Sequence, residues 1–65
     1  MAELHRICIY PKDIMRITGR SERYARTLHE RIKLYYDKKP HQLLTVYEFS
    51  EYSGIELKIV EGYIN

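Results

Sequence analysis

Sixty-five residues, 45% hydrophobic, 31% charged and with a formal net charge of +2, suffice for one domain. A chain this short buries only about 60% of the surface its unfolded form exposes, which leaves little material to wall off a deep catalytic cleft. No run of about 18 apolar residues occurs, so no membrane-spanning helix is expected; the start MAELHRICIY lacks a secretory h-region, and the single cysteine, Cys8, forbids an internal disulfide, as suits a reducing cytoplasm.

In chain order, Ile7-Cys8-Ile9 is a short apolar segment, and Cys8 between two isoleucines reads as a small buried hydrophobe. Pro11 then suits the first position of a helix, where its missing N–H costs nothing. Ile14 and Ile17 fall three apart on one face of that helix. Gly19 supplies the permissive backbone for a sharp turn, and Ser21 is a good N-cap for a second, longer helix. Along residues 21–35, Tyr24, Ala25, Leu28, Ile32 and Tyr35 recur at helical spacing as one apolar stripe. At about 100° per residue, Arg23, Arg26 and Glu30 project opposite that stripe, with Thr27 and Lys33 flanking. His29 falls on the polar shoulder and reads as a solvated residue.

Residues 37–44 form a loop, since Pro40 forbids a continuous helix. Leu43 and Leu44 are a second short extended segment; whether it pairs with residues 7–9 is open. Thr45 and Glu48 make a T-x-x-E capping box that starts a third helix near Val46. Gly54 breaks the chain again, and Leu57, Val60, Tyr63 and Ile64 supply the apolar side of a last helix, in which Gly62 is an unusual interior residue.

Aligning Gly19 with Gly54 reveals a weak internal repeat. Ile9 matches Leu44, Asp13 matches Glu48, Ile14 matches Phe49, Thr18 matches Ser53, and Ala25 matches Val60. The expected fold is therefore mainly all-α: one compact four-helix domain, residues 1–65, made of two helix-turn-helix-like hairpins. The first spans 9–36 and the second 45–65, with room for a very short two-stranded β element. Charge divides the halves. Residues 1–33 hold eight Lys/Arg and four Asp/Glu, net +4, and residues 34–65 hold three and five, net −2. Such a split suggests that one half meets a polyanion.

No catalytic, cofactor or metal motif is present. The glycines are too scattered for a phosphate-cradling loop, and His5, His29 and His41 lack zinc spacing, the His5–Cys8 pair being weak evidence for a metal. No cofactor and no small-molecule substrate are expected, and the protein is not expected to be an enzyme. Tyr24, Tyr52 and Tyr63 sit at core spacing, half-buried with hydroxyls reaching water. Leu34, Tyr35 and Tyr36 form a cluster that is either an interface or packing beneath the loop.

The stretch Ile9–Leu28, IYPKDIMRITGRSERYARTL, resembles the helix-turn-helix of excisionase-like and MerR-like DNA-binding proteins. The similarity rests on the apolar residue before the first helix, Asp13, the Gly19-Arg20-Ser21 turn and the basic second helix, about a third of the chain. Arg20 stands where such turns usually carry a small apolar residue, and a second hairpin stands where a basic β-wing would be. The resemblance implies that Ser21, Glu22, Arg23, Arg26 and Thr27 face DNA. The expected function is thus double-stranded DNA binding, as a transcriptional regulator or recombination accessory factor. Arg23 and Arg26 would read bases or phosphates, Thr27 a thymine methyl or a phosphate, and Glu22 or Glu30 a cytosine amine. Lys12, Arg16, Arg20, Lys33, Lys38 and Lys39 would hold the backbone. A homodimer or adjacent copies would supply tighter binding. The alternative is a protein-interaction adaptor that docks through the acidic second hairpin.

Overall fold

The computed structural model describes residues 7–64. It contains four helices, α1 (Pro11–Thr18), α2 (Glu22–Tyr35), α3 (Val46–Ser53) and α4 (Leu57–Glu61). The small all-α domain expected from the sequence is what forms.

Local signals account for both ends of α1 and α3 and for the start of α2. Pro11 opens α1, and the Asp13 carboxylate accepts a 2.9 Å hydrogen bond from the Tyr10 N–H. Gly19, at φ 71°, ends it by donating to the Met15 carbonyl at 2.8 Å. Ser21 caps α2 by accepting from the Tyr24 N–H at 3.2 Å. Thr45 and Glu48 close a reciprocal capping box on α3, which Gly54 terminates at φ 81°.

The internal repeat extends to the hydrogen bonds. A shift of 35 positions carries α1 onto α3, Tyr10–Asp13 onto Thr45–Glu48, and Gly19 onto Gly54. The Thr18 hydroxyl accepts from the Arg20 N–H at 3.2 Å, and its equivalent in Ser53 accepts from the Ile55 N–H at 3.2 Å. Even the first residue of α4, Leu57, corresponds to that of α2, Glu22. The hairpins then diverge, because α4 is only five residues long against fourteen. Glu56 replaces the capping Ser21 and makes no side-chain cap, and Gly62 closes the helix from outside rather than lying within it.

An antiparallel bridge between Cys8 and Thr45 ties the halves together. The Ile9 N–H donates to the Leu44 carbonyl and the Val46 N–H to the Ile7 carbonyl, both at 2.8 Å. The two extended segments therefore do pair, although over a single residue pair. Around them lies one core of Ile9, Ile14, Ala25, Ile32, Leu44, Val46, Phe49, Val60 and Ile64. Asp13, 3% exposed, is the one buried charged side chain among the described residues; capping removes much of the cost of that burial.

Several positions depart from the sequence reading. His29 is not a solvated residue: its Nε2 lies 3.2 Å from the Ile9 carbonyl oxygen, and burial holds its pKa below the ordinary value despite that hydrogen bond. Tyr35 does not join the apolar stripe but is 69% exposed, and Tyr36 takes the inner place. The reason is geometric, since Tyr36 stands four residues, about one turn, after buried Ile32. Its hydroxyl donates toward the Glu48 carbonyl at 3.3 Å and Glu51 Oε1 at 3.1 Å. Burial and the Glu51 carboxylate push its pKa up to about 12. Cys8 is half-buried rather than buried. Tyr24, Tyr52 and Tyr63 lie more open than half-buried core residues. His5 lies outside the described residues.

Two measurements test this frame. Both turn glycines lie in the left-handed region with nothing within 4 Å of an added Cβ, so backbone strain alone opposes substitution. Gly19→Ala and Gly54→Ala should each lower stability by about 1–2 kcal/mol in urea titrations. The folded pKa of His29 lies below its ordinary 6.5, so the unfolded chain takes up the proton first. That contribution is present above pH 6.5 and is lost as pH falls through the folded value. The urea midpoint should therefore fall between pH 7 and 5, and His29→Gln should flatten the decline.

Candidate nucleic-acid interface

The turn at Gly19 sets α2 against α1, and the inward positions Ala25 and Ile32 fix the rotation of α2 about its axis. What remains is an outer surface on which Arg16, Arg20, Arg23, Arg26, Thr27 and Glu30 are all exposed, with Lys12 exposed on α1. These residues from the sequence reading thus share the surface of one hairpin. Arg31 is exposed there too; its spacing from Tyr24 and Thr27 was the signal that could have included it.

Some of these side chains already have partners. Arg26 meets Glu22 at 2.6 Å in an exposed i,i+4 pair, worth about 0.3–0.5 kcal/mol, which a phosphate or guanine can readily displace. The Arg20 guanidinium lies 4.2 Å above the centre of the Tyr24 ring. That contact holds its charge beside the first turn of α2. It also explains how an arginine fits a turn position that usually takes a small apolar residue. Ser21 is exposed, with its Oγ engaged in capping.

Three lysines part company. Lys39 is exposed. Lys33 is half-buried and its Nζ donates to the Pro40 carbonyl at 3.3 Å, clamping the loop to α2. Lys38 is held inside the fold: its Nζ meets Glu48 Oε2 at 2.8 Å and donates to the Leu43 carbonyl at 3.0 Å. The free surface cation expected at position 38 is thus a structural one. Burial raises the Glu48 pKa, but Lys38 and the Thr45 cap outweigh it and hold the carboxyl below its ordinary value. The partner, Glu48, lies ten residues away, beyond the reach of local spacing rules.

A groove of about 490 Å³ runs between α1 and the start of α2, bounded by Tyr10, Pro11, Lys12, Met15, Glu22 and Arg26. On the other side of α2, Tyr24, Thr27, Leu28 and Arg31 line a smaller trough. Past it, Leu34 and Tyr35 are exposed, and Tyr35 packs edge-on against Tyr52 at 5.2 Å. No group of three His, Cys, Asp or Glu side chains able to hold a metal occurs among the described residues. Likewise, none of the described helices is long and apolar enough to cross a membrane.

The two loop lysines can be told apart by experiment. Lys38→Met should cost about 1 kcal/mol in chemical denaturation, by leaving Glu48 without its cation, whereas Lys39→Met should leave the midpoint unchanged. Comparison with protein-family models, curated proteins and solved structures found no match to this chain.

Proposed function

We propose that this protein binds double-stranded DNA, laying α2 in the major groove while α1 crosses the phosphate backbone. The observation that carries the reading is the hairpin itself. A short helix, a left-handed glycine and a capped fourteen-residue helix present Arg16, Arg20, Arg23 and Arg26 together on the side away from the core. Arg23 and Arg26 make base or phosphate contacts, the planar guanidinium being suited to guanine O6 and N7. Thr27 meets a thymine methyl or a phosphate, and Glu22 or Glu30 a cytosine amine. Lys12, Arg16, Arg20 and Lys39 hold the backbone. The biological setting in this reading is transcriptional regulation or recombination in the cytoplasm, in line with the resemblance of residues 9–28 to excisionase-like and MerR-like proteins.

A second reading has its own support. Leu34 is 73% and Tyr35 69% exposed, beside Tyr52. An apolar, aromatic surface next to an acidic hairpin suits a protein adaptor.

Fluorescence anisotropy with random duplex DNA over a salt series separates the two. Each phosphate contact adds about −0.9 to the slope of log K against log salt. A slope of roughly −3 or steeper is expected, abolished by Arg23→Glu/Arg26→Glu while the helical circular dichroism persists. Absence of binding at low salt overturns the DNA reading and leaves the adaptor.

A further inference from the structure

We propose that Tyr24 is a positioning residue for DNA binding: its ring holds the Arg20 guanidinium in place for a backbone phosphate at the entry to α2. The inference rests on the duplex-binding reading and deepens it, by giving a role to a side chain that acts through another. The Arg20 guanidinium carbon lies 4.2 Å from the centre of the Tyr24 ring. That is well within the distance at which the negative face of an aromatic ring attracts a cation. Local electrostatics otherwise oppose a charge at this place. Arg20 stands two residues before the first residue of α2, where the N–H groups of the helix end carry partial positive charge. Arg23 follows three residues later. The nearest carboxylate in sequence, Glu22, is paired with Arg26 at 2.6 Å. Without the ring, repulsion would drive the guanidinium away from the helix end.

The contact also keeps the guanidinium free for an anion. Among the described residues, Arg20 has no ion pair and its side chain has no oxygen acceptor. Arg26, by contrast, has Glu22, while Lys33 and Lys38 have loop carbonyls. Arginine brings five N–H donors and a large rotamer freedom. One already seated on a ring takes up a phosphate without the ordering cost that a loose one meets. Arg20 is exposed and Tyr24 is 37% exposed, so the pair is a surface arrangement that the core does not impose. A cation at a helix N-terminus lowers stability rather than adding to it, as expected of a group kept for an anionic partner.

The test is a double-mutant cycle read by fluorescence anisotropy on random duplex DNA over a salt series. Arg20→Gln should weaken binding and reduce the slope of log K against log salt by about 0.9, the share of one phosphate. Tyr24→Leu keeps every cation. It should weaken binding roughly fivefold at a nearly unchanged slope, and should have no further effect in the Arg20→Gln background. Tyr24→Phe retains the ring face and should bind as the wild type does. Equal losses from Tyr24→Leu in the wild-type and Arg20→Gln backgrounds overturn the proposal, because a ring that is merely structural, or that touches DNA by itself, gives that result. Wild-type affinity in Tyr24→Leu, or a loss in Tyr24→Phe, overturns it as well while the duplex reading stands. If Tyr24→Leu fails to fold by circular dichroism, Arg20→Lys decides the matter. Lysine keeps the charge but is a compact, strongly hydrated ammonium that seats less well on a ring, so affinity should fall by a similar factor at an unchanged slope; wild-type affinity overturns the proposal. Failure of the wild type to bind duplex DNA overturns both readings.

Discussion

The fold depends on a pair of backbone hydrogen bonds, Ile9 N–H to the Leu44 carbonyl and Val46 N–H to the Ile7 carbonyl, which bracket the bridge between Cys8 and Thr45. The single core draws its side chains from both hairpins. The bridge sets the two lead-in segments side by side, so that Ile9 and Leu44 are buried together and Ile14 and Phe49 can share one interior. Helix starts follow directly on both sides of it. Val46 uses its N–H in the bridge and is also the first residue of α3, while the Ile9 carbonyl, its N–H already bonded, is held by His29 on α2. One short pairing thereby couples all of the first three helices.

Once that frame exists, the two halves diverge through length and charge. The same cap, helix and glycine turn occur twice, 35 positions apart. The first half continues into a helix of nearly four turns with outward arginines, the second into little more than one turn bearing Lys58 and Glu61. A helix that reads a groove must project side chains over several turns, so only α2 has the dimensions for it. The acidic half contributes differently. Glu48 both caps α3 and anchors Lys38, so that the loop between the hairpins is tied down by its own charges. A positive residue that could have widened the basic surface is used up in that role.

Aromatic residues mark the other contrast. Tyr36 is drawn inward, its hydroxyl bonded to Glu48 and Glu51, while Tyr35, one residue earlier, packs edge-on against Tyr52 at the surface. Neighbouring tyrosines on a helix lie about 100° apart, so packing can claim one of them only. Tyr10 and Tyr24 flank the basic surface from opposite sides, one at the groove and one beneath Arg20. Rings placed among exposed cations offer flat apolar area that costs little conformational entropy to use.

Much of this protein was legible without its tertiary structure. The caps at Ser21 and Thr45, the turn glycines at 19 and 54 and the starts of the first three helices all depend on residues within about four positions of one another. Short-range chemistry of that kind is written directly in spacing, and the outward placement of Arg23, Arg26 and Glu30 on α2 follows from helical period alone. Only the assembled structure decided which partner each ambiguous residue would find. His29 bonds across twenty residues to Ile9, and Lys38 across ten to Glu48. The pairing of residues 7–9 with 43–46, the choice of Tyr36 over Tyr35, and the groove between α1 and α2 belong to the same class. Each requires segments distant in sequence to approach, and the rotation of one helix against another is set by the whole core rather than by any local pattern.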